Sequence, residues 1–223
     1  MSHEPHPAEA PSARTLRIDV DGGRLELSWY GWDEPFPSTE LPPSALIDAG
    51  LARRGERDGG SEVAVGTARA WVKGGRLRPG SARRHGLRQL FFQRPFPRLS
   101  EACNLAWLRA HGLSAVRPLL AGLYFEGGRL PRAQFLATEF QPGSALDALA
   151  TTDPARHAAG RASARALVDR MHAAGFEHRD CFERNFLIDD RNTAIAIDTW
   201  RGGPRRRLAL RAIDRDLADF DGS

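Results

Sequence analysis

His178-Arg179-Asp180-Cys181-Phe182-Glu183-Arg184-Asn185-Phe186-Leu187, followed by Ala194-Ile195-Ala196-Ile197-Asp198, is the stretch on which the reading of this chain turns. Asn185 stands five residues after Asp180, and Asp198 stands eighteen after it. Asp and Asn favour loops, while Phe186-Leu187 and Ala194 to Ile197 are apolar runs of strand length, so the stretch reads as a polar loop leading into a short hairpin. The chain reaches it from a helix. Asp153-Pro154 is an N-cap followed by Pro at the first helical position. Ala164, Leu167, Val168 and Met171 then recur at the spacing of one buried face, and Gly175 stops the helix after Ala174. Ser144 with Asp147 three residues on has the form of a capping box and starts an earlier helix.

Further upstream the period changes. Leu16 to Val20 and Arg24 to Trp29 alternate on either side of Asp21-Gly22-Gly23, a hairpin signal. Glu62 to Val65 and Ala68 to Lys73 read as two more strands joined near Gly66. Residues 100 to 112 read as a helix, with Ser100 as N-cap, Glu101 where the helix dipole favours an anion and Gly112 as the stop. Val116 to Phe125 and Gln134 to Phe140 form another strand pair, with Glu126-Gly127-Gly128 turning between them. Asp33 to Pro43 is a Pro-rich loop. The opening segment to Arg14, rich in Pro, Ala and polar residues, is expected to be a flexible tail. Arg215 to Phe220 looks like the start of a last helix.

With 223 residues, 41% hydrophobic and 27% charged, the chain has the size and balance of a folded globular protein and not of a disordered one. Cys103 and Cys181 are too few for a disulfide framework and lack the paired spacing of a zinc site, which points to a reducing compartment. No apolar run approaches the roughly 20 residues of a membrane span, and no signal-peptide core is present, so the expected location is the cytoplasm. The formal charge is +4 with a pI near 9.8. Arginines cluster at Arg76, Arg78, Arg83, Arg84 and Arg88 and again at Arg205, Arg206 and Arg207. That field suits a phosphorylated substrate, nucleic acid or an anionic membrane surface, and charge alone does not choose among them. Interleaved aromatic and basic residues of a nucleic-acid binder are missing, so nucleic acid is not expected. Lys73 is the only lysine, against 31 arginines, the 32 basic residues less one. A chain so inclined to arginine uses lysine where a compact ammonium fits and a planar guanidinium does not.

The quoted stretch resembles the protein-kinase catalytic loop and its metal-binding hairpin: His-Arg-Asp, Asn five residues after the Asp, then an Asp at the far end of the hairpin. The resemblance implies a two-lobe, protein-kinase-like α+β fold. Its N-lobe (15–140, after the tail at 1–14) would be an antiparallel sheet plus the Glu101 helix, and its small C-lobe (141–223) mainly helical. It implies ATP and Mg²⁺ as cofactors, Asp180 as the residue that orients an acceptor hydroxyl and receives its proton, and Asn185 and Asp198 as metal ligands. Lys73 would contact the ATP phosphates with Glu101 as its ion-pair partner. Gly59 and Gly60, before the strand at Glu62, are the candidates for covering the phosphates, although the full Gly-x-Gly-x-x-Gly pattern is missing. The backbone of Thr138, Glu139 and Phe140 would meet the adenine.

Within the kinase-like proteins, Val72-Lys73-Gly74-Gly75-Arg76, Leu108-Arg109-Ala110-His111-Gly112 and Ile197-Asp198-Thr199-Trp200-Arg201 look closest to the bacterial lipopolysaccharide kinases, the Kdo and heptose kinases among them. No Ala-Pro-Glu motif or long activation segment follows Asp198, so a peptide platform is not expected. The resemblance implies a sugar hydroxyl of a lipopolysaccharide precursor as acceptor, with arginines meeting its phosphates and carboxylates, and work in the cytoplasm with peripheral contact at the inner membrane. Two alternatives stand beside it: an aminoglycoside- or choline-type small-molecule kinase, and a non-catalytic kinase-fold binding protein.

Overall fold

The computed structural model describes residues 14–29 and 42–222, and its chain contacts divide these into two units. One holds the described part of 14–103 with 116–141; the other holds 104–115 with 142–222. The Pro-rich segment before Pro42 and the expected tail before Arg14 lie outside the described residues.

The first unit is a lobe built on a six-stranded antiparallel sheet. Its strands are β1 (Arg14–Val20), β2 (Gly23–Trp29), β3 (Gly59–Val65), β4 (Ala68–Arg76), β5 (Pro118–Phe125) and β6 (Ala133–Glu139), in the order β1-β2-β5-β6-β4-β3. The Asp21-Gly22 turn joins β1 to β2 in the register Val20 to Gly23, as the alternation predicts. Alternate residues of the sheet and of helix α1 (Pro43–Ala52) make the core, with Leu25, Leu27, Leu46, Val72 and Phe135 almost fully covered. Phe135 decides much of this packing. A Cβ on Gly50 or Gly122 would come within 2.5 Å of its ring, and one on Gly74 would meet its backbone Cα at 2.6 Å, so two glycines make room for one aromatic ring.

Two helices of this lobe extend the reading from sequence. Helix α2 (Pro79–Phe92) starts with Pro at its first turn and ends on Gln93 in the left-handed region. Its periodicity is hidden because Ala82 is its only buried residue. Helix α3 (Pro97–Ala110) begins three residues before the expected Ser100, again on a proline, and Ser100 lies inside it with its N–H on the Phe96 carbonyl. The Gly112 stop holds: Gly112 has φ +67° and the Leu113 N–H returns to the Leu108 carbonyl. The boundary between the two units falls within α3, after Cys103.

The second unit is mainly helical. After β7 (Ser144–Ala145) come α4 (Leu146–Thr152), α5 (Pro154–Ala173) and, last, α6 (Leu210–Asp221). Between α5 and α6 lie the short strands β8 (Phe176–Glu177), β9 (Phe186–Ile188), β10 (Ala194–Ala196) and β11 (Gly203–Pro204). β10, β9 and β7 form one small sheet and β11 with β8 another. Asp153 caps α5 by accepting from the Arg156 N–H, and Gly160, Ala164, Leu167, Val168 and Met171 make its buried face. The Ser144 capping box does not form: α4 starts one residue later from Ala145, without a side-chain cap, and Asp147 instead accepts from the adjacent Ala148 N–H. The chain is thus a two-lobe α+β protein of the protein-kinase-like kind, an antiparallel sheet with helices in one lobe and a mainly helical second lobe. Among the described residues, no helix is long and apolar enough to cross a membrane.

Candidate active site

Two clusters of charged residues stand out, one in each lobe. In the sheet lobe, Lys73 ion-pairs with Glu101 Oε1, joining the only lysine of the chain to a carboxylate with no exposed surface. The other oxygen of Glu101 accepts from Arg98 Nη1 at 2.7 Å, and Arg98 Nη2 reaches Asp58 Oδ2 at 2.6 Å. The Arg98 backbone N–H meets Gln134 Oε1 at 3.1 Å. Burial works against the Arg98 charge, but Glu101 and Asp58 outweigh it and raise the guanidinium above its ordinary value. Two cations thus share two carboxylates. Arg98 is the member that sequence reasoning missed. It sits one helical turn before Glu101, yet in a run of arginines nothing marks which one is buried.

Gly59 and Gly60 are not in a loop. They open β3, where Gly59 pairs with Gly74 and Gly60 with Lys73. Gly60 is small because the indole of Trp71 lies across it: a Cβ there would be 2.5 Å from Trp71 Nε1. Trp71, two residues before Lys73 and so on the same face of β4, keeps 40% of its surface exposed. Glu139 ends β6. Its N–H is held by the Arg117 carbonyl, and that of Phe140 by the Arg69 carbonyl. The Phe140 ring lies under the Arg69 guanidinium at 3.7 Å. Thr138 is buried, its hydroxyl 3.5 Å from the Trp71 carbonyl.

In the helical lobe, the segment from His178 to Asn185 is fastened at several points. Asp216, fully buried on α6, accepts from the backbone N–H groups of His178 at 2.7 Å and Arg179 at 2.8 Å, and contacts His172 Nε2 at 3.1 Å. Burial would raise the Asp216 carboxyl, but these partners prevail and hold it below the ordinary range. Arg179 takes a left-handed φ of 66°, a costly place for a side chain that the Asp216 bond and the Arg179 to Glu177 ion pair maintain. Glu183, 3% exposed, meets His157 Nε2 at 2.8 Å and Arg161 Nε at 2.7 Å, both on α5. The Asn185 amide donates to the Asp180 carbonyl at 2.6 Å, closing the turn between them.

The β9–β10 hairpin then sets the spacing. Phe186 pairs with Ala196, and the Ile197 N–H donates to the Asn185 carbonyl, so Asn185 and Asp198 emerge at the same end of the hairpin. Asp198 Oδ1 is buried with no hydrogen-bond partner. Because the Asn185 NH₂ is committed to the loop, its amide oxygen is the atom left for a ligand. A buried carboxylate oxygen without a donor and a neutral amide oxygen, carried at the same end of the hairpin, are of the kind that suits a hard cation such as Mg²⁺. Among the described residues, no group of three or more His, Cys, Asp or Glu side chains is placed to hold a metal ion. His178 is buried among Phe176 and Phe186 with neither ring nitrogen bonded, and burial pushes its pKa down.

Asp180 has two arginines near it that the sequence did not single out: Arg184 Nη2 at 3.6 Å and Arg201 Nη1 at 3.8 Å from Oδ1. Each guanidinium rests on an aromatic ring, Arg184 on Phe182 and Arg201 on Trp200. Arg201 is brought there by a tight turn in which the Gly202 N–H returns to the Thr199 carbonyl. β11 then pairs with β8, and Gly202 presses so close to the Glu177 carbonyl that a Cβ would be 2.4 Å from it. Of the second arginine cluster, Arg205 is spent on Glu177, which also holds Arg179 and Arg215.

Fold and loop together define a protein-kinase-like chain. Residues 53–223 match the lipopolysaccharide kinase (Kdo/WaaP) family, most of the chain, and the protein belongs to that family. Among solved structures it is similar to WaaP in complex with acyl carrier protein, at 23% identity over 78% of this chain and 73% of that one, with a TM-score of 0.48. It is also similar to the kinase domain of a Toxoplasma gondii specific rhoptry antigen, at 12% identity over 86% of this chain and 55% of that one, with a TM-score of 0.43. A search of curated proteins finds no match.

Proposed function

We propose that this protein is a kinase that transfers the terminal phosphoryl group of ATP, with Mg²⁺, to a sugar hydroxyl of a lipopolysaccharide core. The observation that carries the reading is the unpartnered buried oxygen of Asp198, held by the hairpin register at the same end as Asn185 and the Asp180 loop. Membership of a lipopolysaccharide kinase family supports the acceptor class.

Asn185 and Asp198 would hold the metal, which supplies charge neutralisation on the phosphates. Asp180 orients the acceptor hydroxyl and receives its proton while that oxygen bonds to the terminal phosphorus and the bond to the leaving ADP breaks. Lys73, fixed by Glu101, offers its ammonium to the phosphates. Trp71, half-exposed on the Lys73 face of β4, offers a plane on which a nucleobase can stack. Arg184 and Arg201, too far from Asp180 for short hydrogen bonds, are free to turn toward anionic groups on the acceptor. ATP as donor makes this a reaction of the cytoplasm.

The test is direct. The protein is incubated with ATP, Mg²⁺ and dephosphorylated lipopolysaccharide core, and the product is analysed by mass spectrometry. A gain of one phosphate on the sugar that disappears in Asp180→Asn is expected. Transfer to aminoglycosides or choline in its place would move the protein to another small-molecule class, and no transfer to any acceptor or to water would make it a binding protein.

A further inference from the structure

The outer surface of α2 is an exposed apolar feature that the kinase chemistry does not use. Leu90, Phe91 and Phe92 are 74%, 70% and 70% exposed, and Leu87 is 47% exposed. Ala82 is the helix's only buried residue, so the face toward the lobe is small and the apolar face is the one turned away from it. At 100° per residue, Leu87, Leu90 and Phe91 fall on one arc. Arg83 lies within that arc, Arg84 and Arg88 at its border, and Phe92 just beyond them. This inverts the usual amphipathic pattern, in which the outward face carries the polar residues.

Charge points the same way. From Arg76 to Ser100 there are seven arginines and no Asp or Glu. Arg98 is buried and paired with carboxylates inside the lobe, whereas the other six are exposed. The field of the others is felt locally: burial, then Arg84 and Arg88, push the His85 imidazole below its ordinary pKa. Exposed leucine and phenylalanine among arginines, without acidic residues, is the composition of helices that lie in the interface of an anionic bilayer. The apolar side chains enter the acyl boundary while the arginines extend to the phosphates. Stacking on nucleic acid would use the phenylalanines but leave Leu87 and Leu90 without a purpose. A protein groove would have to enclose an arc that carries Arg83 and is edged by Arg84 and Arg88.

We infer that α2 is a membrane-surface anchor that docks the sheet lobe on anionic phospholipid. The inference stands on α2 alone and does not depend on the phosphoryl-transfer reading, so failure of one leaves the other intact. The experiment is sedimentation of the full chain with vesicles of phosphatidylcholine alone, or of phosphatidylcholine mixed with phosphatidylglycerol. Binding to the mixed vesicles, weak binding to the neutral ones and loss of binding as salt rises are expected. Leu90→Ser, Phe91→Ser and Phe92→Ser combined should weaken partitioning about tenfold or more, since each removes apolar area that the bilayer would cover. Arg83→Ser, Arg84→Ser and Arg88→Ser should each weaken it about fivefold on anionic vesicles only. Because the seven positions 83, 84, 87, 88 and 90–92 are exposed, the melting temperatures of these variants should match the parent, which separates lost docking from lost folding. A chain that stays in solution with anionic vesicles at low salt overturns the proposal and leaves α2 to an acidic protein partner. Undiminished binding by the triple serine variant also overturns it, because adsorption by charge alone needs no helix.

Discussion

In the sheet lobe, Lys73 and Arg98 meet Glu101 and Asp58, so two cations face two carboxylates and the cluster is closed. In the helical lobe, Asp198 keeps a buried oxygen without a partner, and Asp180 sees guanidinium groups only at 3.6 and 3.8 Å. The first arrangement holds a lysine in place; the second has unmet demand for positive charge and for hydrogen-bond donors. The contrast teaches where function is to be sought: a closed cluster positions a side chain, and an open one receives a ligand.

Breaking the open side should cost most in activity. Asp180→Asn should lower turnover by about 10²- to 10⁴-fold, the range of a lost general base, with ATP affinity little changed. A loss of ATP affinity as large as the loss of turnover would assign Asp180 to the nucleotide. Breaking the closed side should cost most in stability. Glu101→Gln leaves the buried Arg98 and the partly covered Lys73 short of a carboxylate and should destabilise the protein by about 3–5 kcal/mol in urea unfolding. A change under about 1 kcal/mol would mean that water already screens the cluster.

The metal reading sharpens the comparison at a smaller scale. ATP with Mg²⁺ near 100 times its dissociation constant should stabilise the protein by about 2.7 kcal/mol, more than ATP with a chelator does. Asp198→Ala should erase that difference in a thermal-shift measurement, and a difference that survives would remove Asp198 from the metal.

A further effect is on pH. His178 has its pKa lowered by burial, and His85 by burial and the neighbouring arginines, so the unfolded chain takes up protons that the folded chain refuses. Stability should therefore be complete above the ordinary histidine value of about 6.5 and fall as pH drops below it, by at most about 1.4 kcal/mol per pH unit for each proton. Asp216 and Glu177, whose pKa values are lowered, add a further loss in the same direction below about pH 4. Stability that stays level from pH 8 to pH 5 would contradict a neutral buried imidazole.

Much of this was legible in the sequence, for identifiable reasons. The β1–β2 hairpin, the buried face of α5 and its two ends follow from alternation, helical spacing, Asp153-Pro154 and Gly175. The Lys73 to Glu101 pair was legible because lysine occurs once. What stayed hidden had no local signature. Helix α2 has almost no buried stripe, so periodicity could not reveal it. α3 starts on Pro97, and a competing cap at Ser100 drew the boundary inward. Gly59 and Gly60 suggested a loop, and only the position of the Trp71 ring explains a glycine inside a strand. Arg98, Arg184 and Arg201 are three arginines among 31, distinguished by neighbours that are distant in sequence or by a turn that only the fold defines.

The turn from Thr199 to Gly202 has a consequence for control. A segment that is ordered by a modification and released without it needs slack: enough chain to exist in two arrangements. Here the Gly202 N–H closes back on the Thr199 carbonyl, and β11 is already paired with β8 by Gly203. Arg179, Arg205 and Arg215 are likewise occupied by Glu177. A loop tied down this way has a single setting. The turn beside Asp198 is thus held by bonds of its own backbone.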